Sequence, residues 1–344
     1  MTNLKIITVL IFSFFYTFLF ANEQYTNYLM DPNKIEWDAG GFYEGSFEDG
    51  TPFQMDLPYP TPESINRKES QPHTLSPSYW YPKKFSGKTI QLRIRSFSQN
   101  FVELAAETED KNGNFVDAEV FKGTLSPDRI TMYGVWKQTN KNRQLKFSMK
   151  RVYPYHGVDV THSRNTTIDD DNPSRPFVFS VIFPIIGNQH ADSWIRDLMS
   201  TCEHDLECTN QVTIAFHANT SLSLHGWAWG YSNRMAHGNG SSAYKHFKII
   251  DTSLSPAELN HFISVSPNCL HTVSKNIVSL LEEKVDRPEN GTIENWKHIK
   301  FLPTPVGIQF DFDPYELGGY LSSATVFVKK KDIEQCVKYL PTYH

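Results

Sequence analysis

The chain has 344 residues, a formal charge of −5, and 39% hydrophobic, 14% aromatic and 21% charged residues. That apolar and aromatic share excludes a disordered chain, and an acidic balance with no stripe of Lys or Arg excludes nucleic acid as the expected partner. The length suffices for two ordinary domains with cores.

In chain order, the first element is Lys5 followed by an apolar stretch from Ile6 to Phe20 and then Ala21. This is the layout of a secretory signal peptide spanning residues 1–21, with an uncleaved anchor as the alternative. No later apolar run is long enough to cross a bilayer. The expectation is therefore a periplasmic or otherwise extracytoplasmic protein with no membrane span after signal removal.

Residues 22–155 read as an antiparallel β-rich domain, a sandwich or an open barrel. "FQMDL" puts Phe53, Met55 and Leu57 on one face, "IQLRI" does so with Ile90, Leu92 and Ile94, and "LKFSM" with Leu145, Phe147 and Met149. Period-two alternation is what a sheet with one buried side requires. Aromatics such as Tyr79, Trp80, Tyr81 and Trp136 read as core and rim. Residues 156–175 are polar and aperiodic and read as a linker; Asp169, Asp170 and Asp171 lack the loop pattern of a calcium site.

Residues 176–344 change texture. "FVFSVIFPII" is a buried strand, and "NQHADSWIRDLM" gathers Trp194, Ile195, Leu198 and Met199 on one side of a helix. Strands at "VTIAFHA" and "SLSLHGWAWGYSNRM" follow, and Ser255 with Pro256 reads as a helix start before "AELNHFI". A helix at "LHTVSKNIVSLLEEKV" precedes strands at "VGIQFDF" and "ATVFVKK". The order predicts an α+β fold for the chain: the N-terminal antiparallel β domain, then a C-terminal domain with helices against a mixed or antiparallel sheet.

All four cysteines, Cys202, Cys208, Cys269 and Cys336, fall in this half. An even count in an exported chain suggests two disulfides, most simply Cys202 to Cys208 and Cys269 to Cys336, although the spacing leaves three pairings open. Zinc is the alternative, but its short ligand spacings are missing. Histidines 204, 217, 225, 237 and 246 show no helical i, i+4 pair, so neither a metal nor a cofactor is expected.

Three ordered pieces carry a resemblance: "FPIIGN…ADSWIRDLM", "RMAHGNGSSAYKHFKIIDTSLSPAELNHFI" and "PVGIQFDFDPYELGGYLSSATVFVKKKDI". Residues 176–340 resemble the extracytoplasmic domain of the RsiV/PdaC-like family, with Arg234 and Met235 where that family writes glycines. No deacetylase domain is visible, and only five residues precede the hydrophobic stretch. The resemblance therefore implies an exported, non-catalytic module, which in one branch recognises lysozyme and in the other accompanies a wall enzyme. A lysozyme-like protein or peptidoglycan is the partner it implies.

His237 offers a base beside Ser241 and Ser242, but no Gly-x-Ser-x-Gly elbow exists and a structural turn explains it better. "DFDPYE" offers Asp311 and Asp313 for sugar hydrolysis, yet Pro314 breaks the strand and glycosidases hold their acids on separate elements. Trp227, Trp229 and Tyr231, with Arg234 and His237 close behind, make the candidate recognition patch. The leading expectation is a non-catalytic binding protein for a protein or a cell-envelope polymer. An envelope hydrolase using His237 or the acids near Asp311, and a purely architectural protein, are its rivals.

Overall fold

The computed structural model describes residues 35–60, 76–98, 100–111, 113–162, 177–199, 207–231, 239–282, 296, 299–313 and 323–343. The opening strands are β1 (Ile35–Phe47), β2 (Pro52–Pro58), β3 (Ser78–Trp80), β4 (Ile90–Gln91), β5 (Arg93–Phe97), β6 (Phe101–Glu109), β7 (Phe115–Leu125), β8 (Thr131–Gln138) and β9 (Arg143–His162). Each pairs antiparallel with the next in sequence, except that β4 and β5 are two pieces of one stave joined at Leu92, and β9 returns to β1. Nine segments with two merged make eight staves, and the meander closes on itself as a barrel. Closure leaves no free edge on the ring.

The alternation in the sequence sets what fills the barrel. Phe53, Met55 and Leu57 point inward with Tyr43, Tyr79, Phe121 and Phe147, all buried. Phe121 meets Tyr79 at 5.0 Å, Phe147 at 5.4 Å and Phe53 at 6.0 Å between ring centroids, so the interior is a packed aromatic core. Glu119 lies among these rings, accepting hydrogen bonds from the Tyr79 hydroxyl, from Trp136 Nε1 at 3.2 Å and from Gln138 at 3.4 Å.

The second half continues the same sheet through β10 (Phe177–Pro184), helix α1 (Gln189–Met199), β11 (Glu207–Ala218), β12 (Ser221–Tyr231), β13 (Asn239–Ile250) and β14 (Ser253–Ala257). β10 and β11 are parallel with α1 as their crossover, and the remaining pairs are antiparallel. After α2 (Leu259–Phe262) and α3 (Pro267–Glu282), a separate three-stranded sheet forms from β15 (Lys300–Thr304), β16 (Gly307–Phe312) and β17 (Ala324–Lys329). α3 buries Val273, Ile277 and Leu281 with Phe301, Ile308, Phe310, Val326 and Val328 of that sheet. A disulfide joins Cys269 at the start of α3 to Cys336.

These observations overturn the expected α+β arrangement of an N-terminal β domain followed by a domain with a sheet of its own. Both halves share one mixed sheet of 14 strands, and the chain is mostly β. The cause is β9, which is 20 residues long. Its first part pairs β8, its last part pairs β10, and β1 lies along both. Residues 156–162 of the expected linker are thus strand; the rest of it lies outside the described residues. Gly157 permits this pairing because the Trp37 ring occupies the place where a Cβ would stand, 2.2 Å from it.

One core also spans both halves. Trp37, Phe42, Trp80, Phe85 and Tyr155 on the outer wall of the barrel pack against Val181, Ile195, Ile214, Phe216, Leu224 and Phe247. Phe85 and Phe216 stack at 5.3 Å. Buried Gln54 accepts from Trp80 Nε1 at 2.9 Å and donates to the His217 carbonyl at 2.6 Å, satisfying both of its ends across the junction. Tyr155 accepts from the Ile214 N–H at 3.0 Å and bonds the buried carboxyl of Asp56.

The helix expected from Ser255 and Pro256 is instead strand β14 followed by the single turn of α2. Pro256 is tolerated because β14 is an edge strand, where no outer partner needs its missing N–H. The Glu258 N–H bonds His261 Nδ1 at 3.0 Å and starts the turn three residues later than the sequence suggests.

Candidate functional site

β12 and β13 form a ribbon with two unlike faces. Leu222, Leu224 and Phe247 enter the shared core. The opposite face pairs Ser223 with His246, His225 with Tyr244 and Trp227 with Ser242, directly across the ladder. This polar and aromatic face looks toward the three-stranded sheet, and Phe301 of β15 lies 4.4 Å from the His246 ring.

Asp311 and Asp313 at the end of β16 meet this face, and their surroundings define what they can do. Asp311 accepts from the Tyr244 hydroxyl at 2.6 Å, Thr325 Oγ1 at 2.6 Å and Gln309 Nε2 at 2.8 Å. Asp313 accepts from the Ser242 N–H at 3.0 Å, Ser242 Oγ at 2.7 Å and Lys300 Nζ at 2.7 Å. Burial alone would raise the Asp313 pKa, but Lys300 and the two Ser242 donors outweigh it and hold the carboxyl below its ordinary value. Tyr244 is driven well upward, first by burial and then by Asp311, so it stays protonated as a donor. The pair works as a clasp between two sheets, the role that charge-assisted hydrogen bonds perform well.

The nearby imidazoles are held neutral. Burial lowers the His225 pKa against the opposing pull of Asp311 and Asp313. Burial lowers His246 to about 3; its Nδ1 bonds Ser223 Oγ at 2.9 Å, while Nε2 has no partner in bonding geometry despite the neighbouring Phe301 backbone. Ser242 points its hydroxyl at a weakly basic carboxylate and at no imidazole. A nucleophile and a base tuned near neutrality do not meet here.

Beside the clasp the sheet has an open edge. β14 pairs only His246–Ile250, so among the described residues Asn239–Lys245 has no strand on its outer side. A cleft of about 550 Å³ follows this edge, walled by Trp194, Tyr244, Lys245, Glu258, Trp296 and Phe301. Lys245 and Glu258 face each other at 3.6 Å.

The other residues singled out in the sequence are placed as follows. Trp227 is half-buried, its ring lying over Gly240 of the adjacent strand at 2.4 Å from the position of an added Cβ, and Trp229 is half-buried too. Neither lines the cleft. Arg234, His237, His204 and Cys202 lie outside the described residues, as do residues 1–21, expected to be a signal peptide, and the Asp169–Asp171 run; the side chains of Tyr231 and Cys208 are outside them as well. His217 Nδ1 lies 2.9 Å from Glu44 Oε1 of the barrel. Among the described residues no group of three or more His, Cys, Asp or Glu could hold a metal ion, and no helix is long and apolar enough to cross a membrane.

Sequence reasoning missed Ser242, Tyr244, Lys300, Gln309 and Thr325 as partners of the acids. The period-two placement of Ser242, Tyr244 and His246 on one strand face was the available signal. It also missed Trp194 and Trp296 as walls of a cleft.

No family model matches the chain, and no curated protein matches it. Among solved structures the chain is similar to a member of the DUF3298 family from Bacteroides fragilis NCTC 9343, at 11% identity and a TM-score of 0.38, over 55% of this chain and 95% of that one. It is similar also to a DUF3298 family protein from Pseudomonas aeruginosa PAO1, at 11% identity and a TM-score of 0.35, over 55% of this chain and 97% of that one.

Proposed function

We propose that this is an exported, non-catalytic binding protein whose second half, an RsiV/PdaC-like module by its sequence motifs, holds a cell-envelope polymer in the cleft along β13. The observation that carries the reading is the contrast between the clasp and the cleft. Asp311 and Asp313 are each engaged by several donors in holding two sheets together. The adjoining cleft presents two indoles and a phenol with an amine and a carboxylate. Aromatic faces pack against sugar rings while the polar groups orient hydroxyls, which suits binding better than bond cleavage. The hydrophobic stretch from Ile6 to Phe20 and the Cys269–Cys336 disulfide support export.

The test is co-sedimentation of the protein with purified peptidoglycan, with reducing ends assayed in parallel and an immobilised muramidase as the competing ligand. Retention on the polymer without new reducing ends is expected, and Trp296→Ala weakens retention about tenfold, the loss of one well-placed aromatic anchor, measured well below its melting temperature because this ring also packs against the core beneath it. Release of soluble fragments would favour the hydrolase. Capture by the muramidase alone would replace the polymer with a protein partner, and silence toward both would leave an architectural role.

A further inference from the structure

We propose a second, separate binding site at one mouth of the barrel, for a small organic anion that carries a flat apolar ring. A cavity of about 270 Å³ opens there between the β1–β2 turn, the short turn Pro82–Lys84 and the start of β9. Its lining is chiefly apolar. Phe47 and Trp136, each only 3% exposed and 5.0 Å apart between rings, belong to the barrel core, and Tyr81 lies 6.4 Å from Phe47. Such a surface accepts a ring rather than a bare inorganic ion.

The rim supplies the charge. Pro82 and Phe85 are buried, Phe85 stacks on Trp80 at 5.3 Å, and the turn between them is closed by Lys84 N–H to the Tyr81 carbonyl at 3.1 Å. The backbone of Lys83 and Lys84 is thereby fixed at the mouth. Among the described residues neither has a carboxylate within ion-pair distance. Arg143 stands opposite, 5.8 Å over the Trp136 ring. Its one acidic partner, Asp49 at 2.6 Å, is the sole carboxylate in the lining, and it also accepts the Thr51 N–H at 3.0 Å. Three cations against Asp49 in the lining, with Glu119 behind the Trp136 indole, leave a local charge of +1 in a chain whose total is −5. A cationic rim beside an aromatic wall is the complement of an aromatic carboxylate: the ring lies against the half-buried Tyr81 and reaches the exposed edge of Trp136, and the carboxylate bridges Lys83 and Lys84.

Benzoate and its neutral isostere benzamide are the probes, titrated into the intact protein while the Trp136 indole N–H is followed by NMR and assigned with Trp136→Phe. The expected result is a saturable shift with benzoate at a Kd at least tenfold below that of benzamide. In Lys83→Ala/Lys84→Ala the two probes become equal, with melting temperature unchanged because both lysines are exposed. Equal binding of the two probes to the unaltered protein would overturn the proposal, as would no saturation with benzoate or undiminished benzoate binding in the double variant. None of these outcomes touches the cleft along β13, which lies in the other half.

Discussion

The two halves of the molecule bury carboxylates in different company. In the barrel, Glu119 of β7 receives only neutral donors, Trp136 and Gln138 from the neighbouring β8 and Tyr79 from β3 across the interior. Across the second half, Asp313 receives an ammonium, and both aspartates reach from one sheet to another. A closed barrel gathers its staves around a single apolar interior, so polar contacts there refine a structure that packing already defines. Two sheets laid face to face have no such closure, and specific polar links set how they meet.

The strongest way to test that contrast is to empty the barrel core. Phe121→Ala removes a ring in contact with Tyr79, Phe53 and Phe147 and should cost about 3–5 kcal/mol in denaturant unfolding. Because one core crosses the junction, fluorescence and circular dichroism should report a single transition; two separated transitions would break the picture of a shared core. Next in size, Cys269→Ser with Cys336→Ser should cost about 2–4 kcal/mol, since the bridge closes a separation of 67 residues. That loss should appear first as faster hydrogen exchange in α3 and β17, the elements nearest the bridge.

Asp313→Ala comes third, at about 2–3 kcal/mol, because Lys300 loses its carboxylate in a site where both side chains are 15% exposed. A double-mutant cycle with Ser242→Ala separates the clasp from the ion pair; additivity within error would deny that the two residues are coupled. The smallest effect is a pH dependence at the junction. Burial raises the Asp56 carboxyl to about 7 despite the Tyr155 hydrogen bond, and Oδ1 has no partner. The folded chain holds this proton more tightly than the unfolded chain, where the ordinary value is 3.8, so the contribution of Asp56 to stability is fully present below about pH 4 and is lost as pH rises through 7. Asp56→Asn should flatten that slope by about 1–2 kcal/mol, measured as melting temperature between pH 4 and 8.

Much of the local structure was legible in the sequence. Phe53, Met55 and Leu57 announce their shared face by spacing alone, and they do fill the barrel. Residues 156–162 announce nothing, since they are held chiefly by backbone pairing on both sides of β9 and include a glycine whose meaning depends on Trp37, distant in the chain. Pro256 misleads for a related reason: its fit at a helix start and its fit on an edge strand look alike until the sheet order is known. Asp311 and Asp313 stand out as acids, but their meaning is decided by Tyr244 and Ser242, 67 and 71 residues away. Pattern reveals which residues share a face; it does not reveal what that face will meet.

β9 carries a mechanical consequence. A stave belonging to both halves leaves no hinge, so the molecule cannot open or close by swinging one half against the other. Cutting the gene near residue 160 would leave the closed ring with its own last stave and strip β10 of the strand it zips against.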